Sequence, residues 1–84
     1  MNVELENRAK KQFNRFDRAT KLQISAAMLN LENDPPKGDI KKLHNSRANY
    51  RLRSGDYRIF FDILEDRISV TEISTRGQAY KKRR

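Results

Sequence analysis

"NYRLRSGDYRIFFDI", residues 49–63, reads as two β-strands folded back on each other at Gly55-Asp56. Glycine at the first central position suits a two-residue type II′ turn, whose twist matches that of the flanking strands. The turn sets the register: Ser54 faces Tyr57, Arg53 faces Arg58, Leu52 faces Ile59, Arg51 faces Phe60, and Tyr50 faces Phe61. Side chains alternate across a strand, so Tyr50, Leu52, Tyr57, Ile59, Phe61 and Ile63 share one face, the natural seat for helices. Arg51, Arg53, Arg58 and Phe60 share the other, which is expected to be open. A slip of one residue would turn the arginines into the core, where unpaired guanidinium groups are prohibitive, so pattern and turn select the same register.

"RISVTEIS", residues 67–74, supplies the next strand of an antiparallel meander. Its alternation is broken: Ile68 and Val70 point one way and Ile73 the other, which requires either a bulge or cover on both faces. Upstream, Ala9, Phe13 and Phe16 recur at i, i+4 and i+7 along one side of a helix. Asp17 offers a capping oxygen to a second helix, with Leu22, Ala26 and Leu29 on one stripe and Ile24, Met28 and Leu31 on another. Two stripes predict a helix buried on two sides. "ENDPPKGD", residues 32–39, stops that helix at its prolines, and "VEL", residues 3–5, has the pattern of a short first strand. These elements predict a single α+β domain over residues 1–84. A helical hairpin at about residues 8–33 packs on one face of a twisted antiparallel sheet of three to four strands at about 49–74, followed by a basic tail at 75–84.

A chain of 84 residues hides about two-thirds of its unfolded surface, so its core is thin. The net charge is +8, and residues 37–84 carry +7 of it, with thirteen Lys and Arg against six Asp and Glu. Such a field draws polyanions, nucleic acid first, with an anionic membrane or an acidic protein behind it. There is no cysteine, which removes disulfides, thiolate zinc sites and a cysteine nucleophile together. The opening "MNVELENRAKK" is charged within four residues, and the longest apolar run, "AAML" at 26–29, is far short of the roughly 20 residues that span a bilayer. The sequence thus reads as a cytoplasmic protein with no membrane partner.

Arg53 opposite Arg58 costs a few tenths of a kcal/mol to about 1 on an exposed sheet. An anion on that face would offset the repulsion, because a guanidinium forks two hydrogen bonds onto a phosphate. A water-exposed face shielded by arginine stems is the plainer reading. Three arginines with Phe60 as a base-stacking platform exceed what solvation requires and point to the anion site. "TRGQAYKKRR", residues 75–84, places Arg76 and Tyr80 within reach of the same face if the chain turns at Gly77, with Lys81 and Lys82 as further phosphate contacts. Tyr80 suits stacking, or proton transfer if neighbouring cations lower its pKa from about 10. The one histidine, His44, falls in the loop "KKLHNS" and reads as a surface residue.

"NDPPKGDIKKLHNS", then "YRLRSGDYRIFFDI", then "ISTRGQAY" resembles, over essentially the whole chain, the RelE/ParE toxins of type II toxin-antitoxin systems. The resemblance implies a RelE-like fold with a basic concave sheet face. RelE-type members are ribosome-dependent mRNA endoribonucleases, or mRNA interferases, that inhibit translation. ParE-type members share the fold and act on DNA gyrase, so fold alone leaves the activity open. The basic residues and tyrosine of the RelE-type site fall on Arg51, Arg53, Arg58, Arg76 and Tyr80. Their implied chemistry is attack of a ribose 2′-oxygen on the adjacent phosphorus, leaving a 2′,3′-cyclic phosphate and a 5′-hydroxyl with no metal or other cofactor. Many relatives hold histidine where this chain has Thr75, and Glu72 is a candidate substitute. The implied partners are mRNA on the ribosome and an acidic, RelB-like cognate antitoxin, with DNA met only through the antitoxin complex. A non-catalytic nucleic-acid-binding module is the remaining alternative.

Overall fold

The computed structural model describes residues 1–44 and 48–75. In chain order the elements are β1 (Asn2–Leu5), α1 (Asn7–Arg15), α2 (Arg18–Leu31), β2 (Asp39–Lys42), β3 (Tyr50–Ser54), β4 (Tyr57–Ile63) and β5 (Arg67–Thr75). The central hairpin forms as its sequence dictates. Gly55 has φ of 59°, and β3 pairs with β4 in the expected register from Tyr50 opposite Phe61 to Ser54 opposite Tyr57.

The α+β class holds, but the sheet is wider than three to four strands. Five strands lie in the order β1-β5-β4-β3-β2, and the sheet is mixed because β1 runs parallel to β5. β2 has a single apolar residue, Ile40, which sits opposite Leu52 and packs against the core. One inward residue among charged neighbours gives almost no alternation signal, so the segment reads from sequence as turn and loop.

The awkward strand is settled by a bulge. Phe60 pairs with Glu72 and Phe61 with Val70, which leaves Thr71 as the extra residue. The shift returns Ile73 to the side of Ile68 and Val70, and all three are buried in one core with Ala9, Ile24, Leu31, Leu52, Ile59 and Phe61. Burying each large side chain contributes about 1.5–3 kcal/mol, and these few side chains provide most of the apolar stabilisation available to so short a chain. Tyr50 stacks on Phe61 with ring centroids 5.5 Å apart, and Phe16 meets Tyr57 edge-on at 5.4 Å.

Asp17 caps α2 by accepting a hydrogen bond from the Thr20 backbone N–H at 2.9 Å, and the Thr20 interactions hold its carboxyl below the usual 3.8. The helix is buried on one side only. Ile24 and Leu31 face the sheet, whereas Leu22 and Leu29 are 63% and 65% exposed and Ala26 is exposed between them. The prediction of two buried stripes fails because, among the described residues, nothing lies over the outer one. α1 takes the place of β1 along the upper half of β5, where β1 has ended. The Glu6 N–H donates to the Val70 carbonyl at 2.9 Å, and the Ile73 N–H donates to Gln12 Oε1 at 2.7 Å.

Candidate functional site

Two neighbouring cross-strand rows on the face of the sheet away from the core hold the candidate site. The first runs Asp39, Arg53, Arg58, Ser74 across β2, β3, β4 and β5, and the second runs Lys41, Arg51, Phe60, Glu72. The strands alone therefore bring Arg51, Arg53, Arg58 and Phe60 together. Arg76, Tyr80, Lys81 and Lys82 lie outside the described residues.

The three arginines are not equally open, which corrects the expectation from strand alternation. Arg53 is half exposed, but Arg58 is only 5% exposed. Alternation tells which face a residue takes and nothing about lateral cover. Arg58 stands on β4, the middle strand, where Arg53 and Ser74 flank it across β3 and β5. At that exposure its side chain is enclosed along nearly its whole length. Phe60 is half-buried beside it, with one part left to meet a flat ligand.

Two carboxylates belong to these rows. Asp39 bridges both arginines of β3: Arg53 Nε donates to its Oδ2 at 2.9 Å, and Arg51 Nη2 lies 3.8 Å from its Oδ1. Glu72 is 7% exposed and forms an ion pair of 3.6 Å with Arg8, a cation from α1. Arg8 also lines a cleft of about 500 Å³ with Glu4, Glu6, Arg67 and Ser69, where Ser69 Oγ donates to Glu6 Oε2 at 2.7 Å. Asp39 escaped the sequence reading because its strand did, and Arg8 because a helix position carries no mark of which strand it approaches. Glu72 was visible as a candidate, and the Thr71 bulge fixes its face. His44 is exposed in the loop after β2.

The rows together hold four cations and two carboxylates among the described residues, in a polar sheet centre flanked by an aromatic ring. Guanidinium groups can fork hydrogen bonds onto a phosphodiester, and an aromatic ring can stack on a base. The sequence matches the family described as ParE toxin of type II toxin-antitoxin system, parDE, over residues 3–80. The chain belongs to the ParE toxin family. It is thus a toxin of the RelE/ParE superfamily, whose members are partnered by antitoxins in type II systems.

Solved structures place this ParE-family chain on the RelE fold. The toxin-antitoxin complex RelB-RelE of Methanococcus jannaschii matches with a TM-score of 0.73 at 22% identity, covering 93% of this chain and 95% of that one. The RelE-RelB complex of Pyrococcus horikoshii OT3 matches with a TM-score of 0.73 at 24% identity, covering 92% and 96%. The Escherichia coli RelBE complex gives 0.61 at 15% identity, covering 88% and 94%. No curated relative matches the sequence.

Proposed function

We propose that this toxin is a ribosome-dependent, metal-independent mRNA endoribonuclease that inhibits translation. The observation that carries the reading is the convergence of Arg51, Arg53 and Arg58 on one polar sheet face beside Phe60. In the reaction the ribose 2′-oxygen loses its proton and attacks the adjacent phosphorus. The bond to the 5′-oxygen breaks and that oxygen takes up a proton, giving a 2′,3′-cyclic phosphate and a 5′-hydroxyl. Arginines held in advance stabilise the extra negative charge of the five-coordinate phosphorus without reorganising as it forms. Arg58 suits this role because its stem is enclosed, and Arg53 because it is open to a ligand. Arg76 adds charge, and Tyr80 or Glu72 moves the proton. Lys81 and Lys82 hold flanking phosphates. The ribosome supplies much of the geometry that places the 2′-oxygen in line.

The partner that holds the toxin in check is an acidic RelB-like antitoxin; the similar solved complexes pair RelE with RelB. Its acidic residues complement the +8 charge, and its apolar ones suit the outer stripe of α2. A second reading is inhibition of DNA gyrase without catalysis, favoured by the family match to ParE toxin.

Inducing the protein in cells and mapping new 5′ ends of mRNA separates the two. Translation-dependent cuts that vanish with Arg53→Ala and fall sharply with Tyr80→Phe are the expected result. Arg53 is the better control than Arg58 because its removal leaves no hole in the fold. Loss of DNA supercoiling with no mRNA cuts would overturn the nuclease reading in favour of gyrase.

A further inference from the structure

Asp39 is an acidic residue at the edge of a basic surface, and its placement is structurally specified. Gly38, just before it, has φ of 131°, and a Cβ there would come within 2.6 Å of Leu52 Cδ1, so the chain enters β2 by a path reserved for glycine. Lys37 N–H donates to the Asn30 carbonyl at 2.9 Å, and Ile40 N–H to the Gly38 carbonyl at 3.0 Å, which ties the approach to the end of α2. β2 then registers Asp39 opposite Arg53. The carboxylate reaches Arg53 through Nε and Arg51 through Nη2, spanning the two same-face arginines of β3.

The atom used on Arg53 matters. A guanidinium can fork onto an anion through Nε and Nη or through its two terminal nitrogens. With Nε committed to Asp39, the terminal pair of Arg53 is left for a ligand, and the side chain has fewer rotamers in which to offer it. The same carboxylate lies in the row that sets Arg53 against Arg58, so it offsets their repulsion. It also lowers the positive potential seen by any polyanion.

We infer that Asp39 is a positioning residue: it aims the arginines of β3 at a single phosphate and in doing so weakens the site's general attraction for RNA. This rests on the nuclease reading for its catalytic half and is independent of it for its binding half. The two effects have opposite signs in one variant, which separates the inference from a purely structural role. Asp39 is half exposed, so its removal leaves the core intact.

The test compares the full-length protein with Asp39→Asn and Asp39→Glu. Binding of a short single-stranded RNA is followed by fluorescence anisotropy across a salt series, and cleavage of mRNA on programmed ribosomes is followed in single turnover. Asp39→Asn is expected to bind the RNA several-fold tighter at low salt, with a salt dependence steeper by about 0.7 in log–log slope, the value of one added phosphate contact. Its cleavage rate is expected to fall about tenfold at saturating ribosomes, and Asp39→Glu to recover part of that loss. Unchanged or weaker RNA binding by Asp39→Asn overturns the inference, as does undiminished cleavage with tighter binding. If the parent protein cuts no mRNA, the nuclease reading fails, and the binding comparison alone decides whether Asp39 restrains the arginines.

Discussion

Arg53 and Arg58 are opposite one another and carry the same group, yet the fold treats them differently. Arg53 stands half in solvent and clasps Asp39, whereas Arg58 is enclosed on the middle strand. Arg53→Ala should therefore change stability by no more than about 0.5 kcal/mol, as exposed substitutions do. Arg58→Ala removes an enclosed stem and leaves its buried cross-strand neighbour Ser74 beside the vacated volume, and should cost about 2–3 kcal/mol. Urea denaturation of the two variants checks this, and equal midpoints would show that Arg58 is less enclosed than described. The contrast sets a rule for reading activity data: a loss on removing Arg58 mixes folding with chemistry, and a loss on removing Arg53 does not.

Among the elements, the two glycines with positive φ separate strain from crowding. At Gly55 the nearest atom to an added Cβ is the end of the flexible Gln23 side chain, 2.8 Å away, and the φ of 59° costs a non-glycine residue about 1–2 kcal/mol. At Gly38 the φ of 131° is harder to adopt, and the added carbon would press on packed Leu52. Gly38→Ala should thus lower the thermal midpoint more than Gly55→Ala, a difference calorimetry can read directly. The hairpin at Gly55 was legible because turn, alternation and the cost of burying arginine all select one register. β2 was not, since a four-residue edge strand with one apolar side chain owes its existence to the partner it pairs with. β5 was legible as a strand but not in its facing, because only the paired geometry shows Thr71 as the extra residue. The candidate site divides the same way: its β3 and β4 residues could be read locally, whereas Asp39 and Arg8 arrive from elements whose approach depends on the whole fold.

For the whole molecule, the thin core and the uncovered outer stripe of α2 belong together. The fold spends Ile24 and Leu31 on its own sheet and leaves Leu22 and Leu29 exposed, an apolar stripe suited to association. Replacing both with lysine should leave the unfolding free energy within about 0.5 kcal/mol of the parent. The same change should reduce self-association in sedimentation experiments and weaken capture by a cognate antitoxin. Unaltered association would mean that another surface holds the partner. The contact made by Gln12 has a separate consequence. By occupying the Ile73 N–H, its side chain blocks the upper half of β5 as a template for a strand from another molecule. Among the described residues, growth of this sheet by strand addition is thereby left to its two margins, where β1 and β2 are each four residues long and β2 is charged at every position but Ile40.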